Sequence, residues 1–389
     1  MERRIFTVLF IAVFATMLGA GIIEPFMAIY AKDLGANGLM IGLIFGSFTL
    51  SRAVFTPLIG RLSDFKGRKN LLLVGLTGYT ILSFFYAVAT STTSLVIVRI
   101  FHGLASAMVL PISMAYIGDI APKNQEGKYL GTFTIAFFMG LAFGPIIGGA
   151  LYDIWHMNTA FYAMGAISFL SLLLLIFMLP EINAHKNIKP SSFKTILKDK
   201  TMQAMLVFRV MNAYGIAALM GFLPLIAQRI NVSVFQIGFV VSANLLASSL
   251  FQRYFGIVAD KSDKIAMMIA GSIMMLIGLA LIPLSTGFYT LLLFNILMGL
   301  GSAISIPAGS AITAQLGKKL GMGSVMGLFN TAFGLGGGFG PIVAGLIMLA
   351  TGLAFVFVSS ALIVLAGTII FYYLMKNNLD YKELSKTTN

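Results

Sequence analysis

Residues 140–149 read GLAFGPIIGG, and residues 336–345 read GGGFGPIVAG. Both lie inside long apolar segments. In a water-soluble helix, glycine and proline there would cost about 1 and 3 kcal/mol. The two stretches are 196 residues apart, and the same offset aligns much of the chain. Gly60 falls on Gly256 and Asp64 on Asp260. GLASA at 103–107 falls on GLGSA at 299–303, and Pro111 on Pro307. Gly127, Gly131, Phe133, Ala136 and Phe137 fall on Gly323, Gly327, Phe329, Ala332 and Phe333. One offset serving elements this far apart marks an internal repeat.

Composition explains why the breakers are tolerated. Of 389 residues, 58% are hydrophobic and 10% charged, against about 25% charged in soluble domains. The apolar residues come in runs of about twenty or more, long enough to cross about 30 Å of hydrocarbon. The chain therefore reads as an all-α integral membrane protein with twelve transmembrane helices. The first half is predicted to span at 5–31, 37–62, 70–90, 94–120, 127–152 and 158–180. The second is predicted to span at 201–228, 235–258, 264–286, 288–316, 322–350 and 353–375. The opening MERRIFTVLFIAVF has the basic and apolar regions of a signal peptide, but its apolar run continues to about Tyr30, so it reads as a retained first span. Residues 1–180 form an N-terminal six-helix bundle, 181–200 a linker, and 201–389 a C-terminal six-helix bundle with a short tail. Ser192–Lys200 has the makings of a short amphipathic helix, although a plain basic linker is the preferred reading. Six spans per repeat give both copies the same orientation. The fold class is then two parallel pseudo-symmetric bundles, whose rocking about a shared cavity would give alternating access.

The basic residues set the orientation. Twenty of the 26 Lys and Arg gather on one side, only Lys32 and Arg229 lie on the other, and Arg52, Arg99, Arg209 and Arg253 fall within spans. The positive-inside rule then places both termini in the cytoplasm of a multi-pass inner or plasma membrane protein. Much of the net charge of +13 is topology signal and calls for no nucleic-acid partner. The chain has no cysteine, so disulfides and thiolate metal sites are excluded. The three histidines lack metal spacing. No Walker loop or nucleophile–base constellation is visible, and neither an enzyme nor an ATP-driven pump is expected. A cofactor is not expected either, with a proton gradient as the energy source.

Charges within spans are expensive and so mark function. Glu24, in GAGIIEPFMAIY, is the deepest acidic residue, and Pro25 disturbs the helix directly after it. It is read either as a carboxyl that loads a proton or cationic substrate, the preferred reading, or as half of a fixed ion pair with an intramembrane arginine. Arg99, which begins RIFHGLASA, must face a cavity or a carboxylate, as a proton-coupling group or as a pin between helices. His102 is a secondary titratable candidate. Arg52, Arg209 and Asn212 are further cavity candidates, and Arg253 is placed to snorkel. In GRLSDFKGRKN (60–70), Gly60 would permit close helix approach, Gly67 would turn the loop, Asp64 would sit by a helix N-terminus, and Arg68 would pair with Asp119. Such contacts would hold in one access state and break in the other, with Gly256 and Asp260 as the repeated copy.

In lipid, the breakers of the opening stretch become packing devices. Gly140, Gly144 and Gly148 share one helix face, with Gly149 beside it, and small residues let a second helix approach closely. Pro145 would bend the span. Gly336, Gly340, Ala344 and Pro341 repeat the pattern. The expectation is a pivot where the two halves meet.

These motifs carry a resemblance. The sequence resembles the major facilitator superfamily over nearly its whole length, and within it the twelve-helix drug:proton antiporters. GRLSDFKGRK is similar to the family's loop signature between helices 2 and 3. RIFHGLASA is similar to the helix 4 motif, with His102 where glutamine is usual. GLAFGPIIGG is similar to the helix 5 signature of antiporters. The repeat copy, GIVADKSDK, keeps Gly256 and Asp260 but has Asp263 at the glycine position. The resemblance implies that Arg99 serves proton coupling, that Asp64, Arg68 and Asp119 latch one state, and that helix 5 meets helix 8 and helix 11 meets helix 2. The function expected is proton-coupled export of small lipophilic or cationic compounds, with protons, substrate and the bilayer as partners and a monomer as the unit. Two alternatives stay open: an exporter of a specific metabolite such as a sugar, amino acid or siderophore, and a proton symporter.

Overall fold

Among the described residues, twelve helices are long and apolar enough to cross a membrane, from Arg3–Asp33 to Leu353–Lys376. The computed structural model describes residues 2–122, 126–181 and 193–376, leaving aside the side chains of 2, 64–66, 126–128, 193, 322 and 323. The first span is broken. Helix α1 (Glu2–Ile23) passes through a 3-10 turn at Glu24–Phe26 into α2 (Met27–Asp33). Pro25 causes the break, because its ring lacks the N–H that an α-helix needs at that point. The remaining first-half helices are α3 (Gly38–Lys66), α4 (Lys69–Ala87), α5 (Thr92–Ile120), α6 (Glu126–Trp155) and α7 (Met157–Met178). A short helix, α8 (Phe193–Lys198), precedes α9 (Lys200–Arg229), α10 (Val234–Lys261), α11 (Lys264–Leu281), α12 (Phe288–Leu320), α13 (Met322–Thr351) and α14 (Leu353–Lys376). The plain-linker reading of Ser192–Lys200 is thus corrected. Ile196 of α8 is buried against Met202 and Met205, and that apolar anchor orders the turn.

The chain divides into two compact units, Met1–Asn187 with Val232–Ser242, and Ile188–Asn231 with Ala243–Asn389. In the first, α1 packs on α6 and α7, and α4 on α5 and α7. In the second, α9 packs on α13 and α14, and α11 on α12 and α14. These pairings correspond under the 196-residue offset, and small residues place them. A Cβ on Gly103 would run into the Phe48 carbonyl and Ser51, and one on Gly299 into the Asn244 carbonyl and Ala247, the residues 196 further on. Gly75 packs against Ala105, Met108 and Val109, and Gly271 against Gly301 and Ser305. Large apolar side chains such as Phe84, Phe85 and Phe177 point out of the first bundle, as Leu293 and Phe355 do from the second. Such exposure suits a surface bathed in lipid.

The same glycines narrow the pivot expectation to Pro145 and Gly149. Gly140, Gly144 and Gly148 face α1 inside the first unit, against Phe14, Leu18, Gly21 and Ile22. Gly336 and Gly340 face α9 inside the second unit, against Val210, Ala213 and Tyr214. The stripe joins helices within each bundle, because its spacing specifies a close approach and not the identity of the partner. Gly149 and Pro145 turn the other way. A Cβ on Gly149 would lie 2.8 Å from the Phe235 Cα, and one on Gly238 would meet the Pro145 carbonyl. Asp153 of α6 accepts a hydrogen bond of 2.9 Å from the Phe235 N–H, capping the start of α10.

A Cβ on Gly144 would come within 2.6 Å of Gly21 backbone atoms, whereas one on Gly131 meets nothing within 4 Å. Gly144→Leu should therefore force α1 and α6 apart, at a cost of about 1–3 kcal/mol or more. Thermal unfolding in detergent should show a lowered midpoint for Gly144→Leu and an unchanged one for Gly131→Leu. Equal midpoints would contradict the packing described.

Candidate functional site

The break at Pro25 places a carboxylate where the helix is weakest. Glu24 opens the 3-10 turn, and its carboxylate faces the guanidinium of Arg99 on α5. Arg99 donates through Nη1 to Oε2 at 2.9 Å and through Nη2 to Oε1 at 2.8 Å, a bidentate pair. Its Nε donates to the Ile44 carbonyl of α3 at 3.0 Å. The guanidinium also sits over the Phe48 ring at 4.5 Å and near the Phe45 ring at 5.4 Å. All five elements of this arrangement are internal to the first unit.

The two partners differ in access. The Arg99 side chain is fully enclosed, while 27% of the Glu24 side chain remains exposed. A guanidinium does not give up its proton, so its charge must always be met. A carboxylate can become neutral by taking one. The exchangeable member of the pair is thus the one that solutes can reach.

His102 lies one turn beyond Arg99. Its Nδ1 shares a hydrogen bond of 2.9 Å with the Tyr86 hydroxyl. Tyr79 and Phe48 meet the ring edge-on, with centroids 4.4 and 5.1 Å away. Nε2 is buried without a hydrogen-bond partner. Arg52, half-buried on α3, approaches the Phe48 ring at 5.7 Å. Tyr79, Tyr86, Phe45 and Phe48 escape notice in the sequence because aromatic residues are common in spans. The seven-residue spacing of the tyrosines, two helical turns on one face, is the signal that points to them.

The remaining candidates lie elsewhere. Arg68 forms an ion pair with Asp119 through Nε, and its Nη2 donates to Oδ1 at 3.1 Å. Gly67 has φ of +83°, the left-handed region that favours glycine. A Cβ there would run into the Glu181 carboxylate. The Asp64 side chain lies outside the described residues. No described atom lies within 4 Å of where a Cβ on Gly60 would be, and Gly256 has only an ordinary contact with Pro307 at 3.9 Å. Asp260 is exposed in the last turn of α10, not at a helix N-terminus. Arg209 and Asn212 stand together on α9 in the second unit and line one cleft there.

Two duplicated six-helix bundles with an ion pair buried at a broken helix define a membrane carrier rather than an enzyme. The model of the Major Facilitator Superfamily matches residues 9–212 and again 205–388, and the chain belongs to that family of transporters. It is 34% identical to an uncharacterized MFS-type transporter of Methanocaldococcus jannaschii, over 96% of this chain and 98% of that one. It is 27% identical to the quinolone resistance protein NorA of Staphylococcus aureus, over 89% of this chain and 90% of NorA. Among solved structures it is similar to a bacterial homologue of the human lysosomal transporter Spinster. The TM-score there is 0.86 at 13% identity, covering 100% of this chain and 99% of that one. The nucleoside transporter NupG aligns with a TM-score of 0.82 at 17% identity, over 95% and 99% of the two chains.

Breaking a buried pair by removing one member costs about 3–5 kcal/mol, because the other charge is left uncompensated. Glu24→Gln and Arg99→Gln should each lower the unfolding midpoint in detergent. The double variant should lose much less than the two losses combined. Additive losses would show that the two side chains do not act on each other.

Proposed function

We propose that the protein is a proton-coupled antiporter that exports small lipophilic or cationic compounds by alternating access. The observation that carries this reading is the Glu24–Arg99 pair, a bidentate contact whose carboxylate alone is open to solutes. Taking up a proton would neutralise Glu24 and release its hold on Arg99. A cationic substrate would compete with that proton for the same carboxylate, which makes the exchange obligatory. One proton moving inward under 100 mV supplies about 2.3 kcal/mol, to which the pH gradient adds. Similarity to NorA, a quinolone resistance protein, supports an exporter of small organic compounds. In the same reading, Arg68 and Asp119 act as a latch that holds one access state.

The test is proton release on adding substrate to protein in weakly buffered detergent solution. The wild type should release protons in proportion to bound compound, and Glu24→Gln should release none while still binding. Equal release from both proteins would remove Glu24 from the mechanism. Accumulation in vesicles under an imposed gradient decides the direction, since a symporter would move substrate with the proton flow.

A further inference from the structure

The second bundle contains a half-buried cation that the Glu24 site does not use. Arg209 lies nine residues into α9, about 14 Å from its start at Lys200. Its guanidinium is held between two rings of α13, with Cζ 4.8 Å from the centroid of Phe329 and 4.4 Å from that of Phe333. The Nε is buried without a hydrogen-bond partner. The described acidic residues of this unit, Asp199, Asp260 and Asp263, all stand at helix ends. Asp199 and Asp263 there cap α9 and α11. No described carboxylate meets Arg209.

A guanidinium at this depth is costly. Cation–π contacts offset roughly 0.5–2 kcal/mol, and they cover its faces only. Its N–H donors point outward in the plane of the fork, which matches a carboxylate. They border a cleft that Asn212, Ser302, Ser305 and Gly309 also line, of about 330 Å³ counted out to its open mouth. The enclosed part has room for a water or a carboxylate head, not for a whole organic molecule. The Asn212 amide already donates to the Phe208 carbonyl at 3.0 Å, which leaves the arginine as the strong donor.

We propose that Arg209 binds the carboxylate of the transported compound, so that the cargo is an amphiphile carrying an anionic group, as a zwitterion or an organic acid on an apolar body. This rests on the reading of the chain as an exporter of small amphiphiles, and it narrows the substrate class from cations to compounds that also bear a carboxylate.

The test uses a matched pair of dyes, tetramethylrhodamine with its free carboxylate and the corresponding methyl ester. Binding to the purified full chain in neutral detergent is read by fluorescence anisotropy. The wild type should bind the acid about tenfold or more tightly than the ester, the scale of a charge-assisted bidentate contact. Arg209→Gln should bind the two alike, and Arg209→Lys should recover part of the preference. Arg253→Gln, which removes an exposed charge, should keep it in full. Unfolding midpoints of all variants report whether they remain folded. Equal affinities in the wild type, or a preference that survives in Arg209→Gln, would overturn the proposal. So would loss of the preference when phosphatidylglycerol is added, since the site would then belong to a lipid headgroup. Proton-driven movement of the free acid in proteoliposomes is measured separately. Its failure would refute the exporter reading and leave the binding result at Arg209 to be judged by itself.

Discussion

A guanidinium sealed in an apolar bundle must be met on every side, and the first bundle is arranged around that requirement. Arg99 has two bonds to Glu24, one to the Ile44 carbonyl, and aromatic faces from Phe45 and Phe48. These partners come from the broken first span and from α3. The arginine therefore ties α5 to both neighbours at once. The pair adds little net stability, since desolvation cancels much of the attraction. Its consequence is specificity: the contact is made fully or it leaves a charge unmet.

The internal repeat separates what is structural from what is chemical. Under the 196-residue offset, Gly103 and Gly299 meet equivalent partners, as do Gly140 and Gly336, and Gly144 and Gly340. Phe133 and Phe329 occupy equivalent places in the two cores. The charges within the spans do not repeat. Glu24 corresponds to Met220 and Arg99 to Asn295, while Arg209 corresponds to Val13. Small residues that bring backbones together are held by both bundles, because each bundle must pack in lipid without a hydrophobic drive between its helices.

Much of this was legible in the sequence. Run length and the scarcity of charge identify twelve spans, and the offset identifies the duplication. Glu24 and Arg99 stand out because few side chains are as costly at that depth. What residue types do not record is partnership. The Glu24–Arg99 contact joins positions 75 apart in the chain, and the Ile44 carbonyl is backbone, which no side-chain pattern signals. The glycine stripe of α6 shows that some helix comes close, but the spacing is blind to which one: Gly140, Gly144 and Gly148 meet α1, while Gly149 meets α10.

The loss of symmetry in the charges has a mechanistic consequence. If both bundles carried a Glu–Arg pair, one proton could be held in either, and its movement would not commit the protein to one exchange. Met220 and Asn295 stand at the corresponding positions, so the second bundle has no such pair. The second bundle is then free to use its own half-buried charge differently. Arg209 keeps its charge throughout, so it is suited to holding an anion and unsuited to relaying protons. A duplicated scaffold thereby carries two unlike charges, an arginine paired with a carboxylate and an arginine that no described carboxylate meets, on the same pattern of helix contacts.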